Sequence, residues 1–191
     1  MENLEYGNNA PNLTFERDLL RQSLRSRFYD MNKVGDTLLH FDPNEKLVLA
    51  LINSEVEFVV IGGLAVSWYC SERQADDMDL MVNPTPENST RIFNALTSLH
   101  LNGHNHDSFT KLGLQVPLKS QFYAELLTPR SDGPSWSEVM DDSVEGRLFN
   151  LPVRLPSVAA LVRLKEHAVA SAEEQKDKHL KDIELLKGYT V

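Results

Sequence analysis

The sequence predicts a mixed α/β (α+β) domain: a mixed twisted sheet flanked by helices, with helical additions at its N- and C-terminal ends. Two observations predict it. Short apolar runs such as Phe58-Val59-Val60-Ile61 have the length of buried strands, and they alternate with longer segments whose apolar residues recur at helical spacing, such as Ile92, Phe93, Leu96 and Leu99.

A chain of 191 residues is long enough to bury one proper core. Its 41% hydrophobic and 25% charged residues are ordinary for a soluble globular protein. No stretch reaches the roughly 20 apolar residues that span a bilayer. The N-terminus has neither a basic start nor an apolar run, so no secretory signal is expected. Cys70 is the only cysteine, which excludes an internal disulfide and fits a reducing compartment, with the cytoplasm as the default. A net charge of −9 argues against coating nucleic acid through a broad basic surface, though not against gripping one RNA end through a local patch.

Residues 1–42 read as a polar arm followed by an amphipathic helix from Phe15 to Met31, whose Leu20, Leu24, Phe28 and Met31 share one face. That face is expected to pack on the following domain, or to dock a second copy or a partner protein. Residues 43–191 read as one domain. Asp42, Pro43 and Glu45 give the punctuation of a helix start, and Leu47, Val48, Leu51 and Ile52 its buried stripe. A strand at 58–61 ends at Gly62-Gly63 and leads into a short helix to Tyr69. A strand over 78–82 precedes a helix opened by Thr85-Pro86. Strands are expected near 109–117 and 121–127, a short helix at 136–140, a single strand at 147–154, and closing helices at 157–170 and 176–187.

The chemistry concentrates between residues 60 and 82. Strand side chains alternate faces, so Asp77 and Asp79 point the same way at the start of a strand while Met78 and Leu80 face the core. Two neighbouring carboxylates repel each other, and a hard divalent cation such as Mg²⁺, which takes oxygen ligands, resolves that repulsion. Glycines after a buried strand let backbone N–H groups approach a phosphate without a Cβ in the way. A third carboxylate from a neighbouring strand would complete a two-metal arrangement, and Glu125, in the apolar strand context Phe122-Tyr-Ala-Glu-Leu-Leu127, is the best candidate. Alone, a Gly-Gly is usually a tight turn and an Asp-x-Asp usually a solvated strand end; their order along the chain carries the signal.

That ordered set resembles the DNA polymerase β-type nucleotidyltransferase superfamily. The nearest likeness is to its small bacterial branch, which includes abortive-infection toxin and lincosamide-type antibiotic nucleotidyltransferases. The branch typically reads Gly-Gly, a short helix, Arg-x-Thr-x-Asp-x-Asp, an apolar strand, then Pro and Glu-Asn before a helix. Here the match is Gly62-Gly63, Arg73-Gln-Ala-Asp-Asp77-Met-Asp79 and Pro84-Thr-Pro-Glu87-Asn88. It continues through Glu125-Leu-Leu-Thr128, Leu164-Lys165 and Lys176-Asp-Lys-His-Leu-Lys-Asp-Ile183, about residues 45 to 187 in all.

The resemblance implies a nucleotidyltransferase fold and transfer of a nucleoside monophosphate from an NTP, ATP among them, to an acceptor hydroxyl. The acceptor would be an RNA or tRNA end, a partner protein or a small molecule, in a toxin–antitoxin or defence setting. It implies Mg²⁺ or Mn²⁺ at Asp77, Asp79 and Glu125, and nucleotide contacts from Gly62, Gly63, Arg73 and Lys165. Arg73 could instead neutralise Asp76, and Lys165 could snorkel to solvent. Three positions depart from the pattern: Ala75 replaces Thr or Ser, Glu125 replaces Asp, and Lys178-His179 stands for Lys-Asp. They keep a second reading open, a catalytically degenerate module that binds nucleotide or protein.

The remaining candidates have plainer readings. His100, His104 and His106 are expected in a solvated loop rather than a zinc site. Asp141-Asp142 is expected in a surface turn. Trp68 and Tyr69 would pack or shape a nucleotide pocket, and Cys70 has no evident activating partner.

Overall fold

The structure, a computed structural model, describes residues 41–75, 77–118, 121–171 and 175–189. The amphipathic stretch 15–31 and Asp76 lie outside the described residues. The elements in chain order are α1 (Phe41–Asn53), β1 (Phe58–Ile61), α2 (Gly62–Tyr69), β2 (Met78–Val82), α3 (Pro86–Ser98), β3 (Gln115–Pro117), β4 (Ala124–Leu127), α4 (Trp136–Asp141), β5 (Ser143–Leu148), β6 (Leu151–Pro156), α5 (Val158–Ser171) and α6 (Lys176–Gly188).

Four strands form a mixed sheet in the order β1-β2-β4-β3, with β2 and β4 parallel and the outer pairs antiparallel. Helices cover it, as the sequence predicts. Alternation along the strands gives the sheet two distinct faces. On one, Phe58, Val60, Met78, Leu80, Val82, Ala124 and Leu126 join Leu47, Val48 and Leu51 of α1 and Ile92, Ala95 and Leu96 of α3 in the main core. Each fully buried leucine there contributes about 1.5–3 kcal/mol by leaving water. On the other, Val59 and Met81 pack with Val139 of α4, Ile61 and Leu164 of α5 in a smaller cluster. Asp79 and Glu125 alternate onto this second face, beside the helix that carries Lys165.

Helix α3 starts where Thr85 and Pro86 predict: Thr85 Oγ1 accepts from the Asn88 N–H at 3.2 Å, and Pro86 opens the first turn. The buried Asn88 side chain accepts from the Glu57 N–H at 2.7 Å and donates to the carbonyls of Glu57 and Asn83. It ties α3 to the sheet at the entry of β1 and the exit of β2, the end away from Asp79.

Several boundaries differ from the sequence reading. Asp42 lies inside α1, because Pro43 is tolerated in a first turn and the helix begins by Phe41. The single strand expected at 147–154 is a hairpin, β5 paired antiparallel with β6. Its two-residue turn, Phe149-Asn150, has φ of +53° and +63°, the left-handed geometry a tight hairpin needs. The strand expected over 109–117 is confined to 115–117. Before it the chain turns, sinking Phe109 into the core with its N–H on Ser89 Oγ at 3.0 Å and passing Gly113 at φ +73°. Among the described residues, no helix is long and apolar enough to cross a membrane.

Candidate active site

Asp79 stands opposite Ile61 of β1 on one flank and opposite Glu125 of β4 on the other. In-register partners share a face, so the two carboxylates the sequence singled out, 46 residues apart by number (125 − 79), are neighbours across the parallel ladder. Asp77 sits at the bend just before β2, half-buried.

The glycine pair closes the third side. Gly62 follows Ile61 at φ +70°, a conformation glycine adopts without strain, and a Cβ there would collide with Asp79 Oδ2. A Cβ on Gly63 would lie 2.9 Å from Arg73 Nη2. The room these glycines leave is thus taken by the Asp79 carboxylate and the Arg73 guanidinium. Helix α2 begins at Gly62 with no side-chain hydrogen bond capping its start.

Burial pushes the Asp79 carboxyl up to about 7, with repulsion from Asp77 and then Glu125 adding to it and Lys165 and Lys178 partly offsetting it. Glu125 is buried, and its Oε2 accepts a hydrogen bond from Gln115 Nε2 at 2.5 Å. Among the described residues, no group of three or more histidine, cysteine, aspartate or glutamate side chains is disposed to hold a metal ion. The donor chemistry nonetheless suits a hard divalent cation, which takes oxygen ligands and relieves the repulsion between neighbouring carboxylates.

Lys165 and Arg73 converge on a residue the sequence reading passed over. Asp182 of α6 is buried, with Oδ2 2.6 Å from Lys165 Nζ and Oδ1 2.5 Å from Arg73 Nε. Burial raises the Asp182 carboxyl, but Lys165 and Arg73 outweigh it and the net shift is downward. Lys165 therefore does not snorkel: it lies buried on the same helix as Ala160 and Leu161. Arg73 Nη2 and His179 Nδ1 are buried beside this group without hydrogen-bond partners among the described residues. Burial, then Lys165, pushes the His179 imidazole down. The signal for Asp182 was present: Lys181-Asp182 is a Lys-Asp pair one helical turn beyond the Lys178-His179 read as a departure.

Ala75 is buried in the main core, where a threonine hydroxyl would meet apolar neighbours. Trp68 and Tyr69 pack against that core, and the Tyr69 hydroxyl donates to the Pro156 carbonyl at 2.8 Å. Burial raises the Cys70 thiol, away from reactivity. His106 packs at a tilt against Phe93, and His104 against Phe109. Asp142 pairs with Arg163 at 2.9 Å. Two surface hollows, of about 590 and 700 Å³, include none of the carboxylates Asp77, Asp79 and Glu125 in their linings.

No family model matches the chain, and no curated protein does. Among solved structures, an antigenic nucleotidyltransferase-like protein from Paracoccidioides brasiliensis is similar, with 17% identity over 75% of this chain and 74% of that one and a TM-score of 0.45.

Proposed function

We propose that this chain is a metal-dependent nucleotidyltransferase that moves a nucleoside monophosphate from an NTP to an acceptor hydroxyl. The observation that carries the reading is the register of Asp79 with Glu125, with Asp77 two residues earlier at the bend before β2 and Gly62-Gly63 at the adjoining end of β1. Mg²⁺ or Mn²⁺ held by Asp77, Asp79 and Glu125 would neutralise the triphosphate and polarise its α-phosphate.

The chain's own residues supply the rest. The uncapped first N–H groups of α2, at Gly62 and Gly63, present partial positive charge to phosphate oxygens. Arg73 and Lys165 keep positive charge beside the site while Asp182 fixes their position. Glu125 takes the acceptor's proton as the acceptor oxygen attacks the α-phosphorus; the bond to the bridging oxygen breaks and pyrophosphate leaves. No covalent protein intermediate is needed, since positioning and charge carry most of such chemistry. The acceptor is an RNA or tRNA end, a partner protein or a small molecule, with residues 1–42 available to dock a partner or second copy.

A second reading, a degenerate module that binds without turnover, is favoured by the commitment of Arg73 and Lys165 to Asp182 and by Ala75 in the core. Incubating the full chain with each α-labelled NTP, Mg²⁺ or Mn²⁺ and total cell extract separates the two. Label moving to an acceptor supports the enzyme; nucleotide binding with no transfer supports the module.

A further inference from the structure

Glu125 accepts a hydrogen bond from the edge strand on the flank of β4 away from Asp79. Gln115 on β3 is in register with Leu127, and Pro117 with Glu125. Antiparallel partners share a face, as do residues two apart, so Gln115 and Glu125 are diagonal neighbours within reach of long side chains. The amide spans that diagonal, Nε2 donating to Glu125 Oε2 at 2.5 Å. In the strand order β1-β2-β4-β3, Asp79 flanks β4 on one side and Gln115 on the other.

We propose that Gln115 is a positioning residue for Glu125, fixing its carboxylate across from Asp79 so that the pair is set for a divalent cation before one arrives. The proposal rests on the reading of Asp79 and Glu125 as cation ligands. A glutamate side chain is long and rotatable, and a hydrogen bond from the far flank removes that freedom ahead of binding. The chemistry of the donor matters. A lysine or arginine at 115 would also grip the carboxylate, but its charge would compete with the cation; a glutamine amide donates a hydrogen bond and adds no charge. Hydrogen-bond partners of this kind orient metal ligands, and their loss typically weakens metal binding about 10–100-fold.

Gln115 is itself exposed on a short edge strand, so its side chain can be changed with little disturbance to the core. The test is Mn²⁺ titration of the full chain by calorimetry, alongside the melting temperature in EDTA. Gln115→Leu matches the size without the donor, and Gln115→Thr suits a strand but is too short to reach, so one variant stands if the other folds poorly. The expected result is Mn²⁺ affinity reduced tenfold or more in both, with the melting temperature in EDTA unchanged. Equal affinity in variant and parent overturns the role of Gln115 while leaving the cation site standing. A parent that binds no Mn²⁺ overturns both the role and the reading beneath it.

Discussion

Lys165 Nζ and Asp182 Oδ2 meet at 2.6 Å with both side chains buried, and Arg73 closes on the other oxygen of the same carboxylate. One aspartate thus joins α5, α6 and the loop ahead of β2. Removing one partner from a buried pair leaves the others uncompensated, which typically costs about 3–5 kcal/mol. Asp182→Asn, which strands two cations, is expected to cost about that much in urea unfolding. Lys165→Met, which leaves Asp182 its Arg73 contact, should cost less. The reverse order would contradict the central place given to Asp182. The pH dependence follows from the lowered Asp182 carboxyl. Its stabilisation is fully present above the ordinary aspartate value of about 3.9 and is lost as pH falls below that toward the lowered value, because there the unfolded chain binds the proton first.

Asp79 has the opposite sign. With its carboxyl pushed up to about 7, the folded chain holds a proton that the unfolded chain has released. Stability contributed by this group therefore falls as pH rises from about 4 to about 7 and stays low above that. Asp79→Asn should stabilise the metal-free protein at pH 8 by on the order of 2 kcal/mol once solvent screening is allowed for, raising its melting temperature, and change it little at pH 4. Mg²⁺ at pH 8 should stabilise the parent and have little effect on Asp79→Asn. Melting curves at both pH values, with EDTA or Mg²⁺, read this directly; a parent and variant that run parallel across pH would rule it out.

Gly62 carries two demands that a matched control can separate. Gly62 and Gly113 have φ of +70° and +73°, but only Gly62 has an atom where a Cβ would go, Asp79 Oδ2. Gly113→Ala should cost about 1 kcal/mol for the backbone alone. Gly62→Ala should cost about 2 kcal/mol or more and also weaken Mg²⁺-dependent stabilisation, because the carboxylate must move. Equal costs in chemical denaturation would mean that Asp79 yields freely.

The sequence was most legible where local chemistry and tertiary packing agree. Strand β2 lies at 78–82 as read, since Met78 and Leu80 face the core and Asp79 the other side, and Thr85-Pro86 starts α3 as caps do. The β5–β6 hairpin was misread because Glu145 and Gly146 break the apolar alternation and the Phe149-Asn150 turn carries no glycine to announce it. Strand β3 was overdrawn because Phe109 is buried from a turn, not from a strand. At the site, Glu125 was expected on a strand neighbouring Asp79, and β2 and β4 hold the two residues in register. Asp182 was missed although Lys181-Asp182 offers a Lys-Asp pair, because its partner Arg73 lies 109 residues away; Gln115 was missed because its contact with Glu125, 10 residues on, depends on the register of β3 with β4.

Transfer of α-label from NTP, compared between the parent, Asp79→Asn and Glu125→Gln at equal folded fraction, tests the proposed function most directly. The parent should label an acceptor in the presence of Mg²⁺ or Mn²⁺, and Asp79→Asn should not. Glu125→Gln should be slower by on the order of a hundredfold, as expected for a lost positioned base, while still binding NTP. Transfer by the parent and both variants at the same rate, or NTP binding by the parent with no labelled product from any extract, would contradict it.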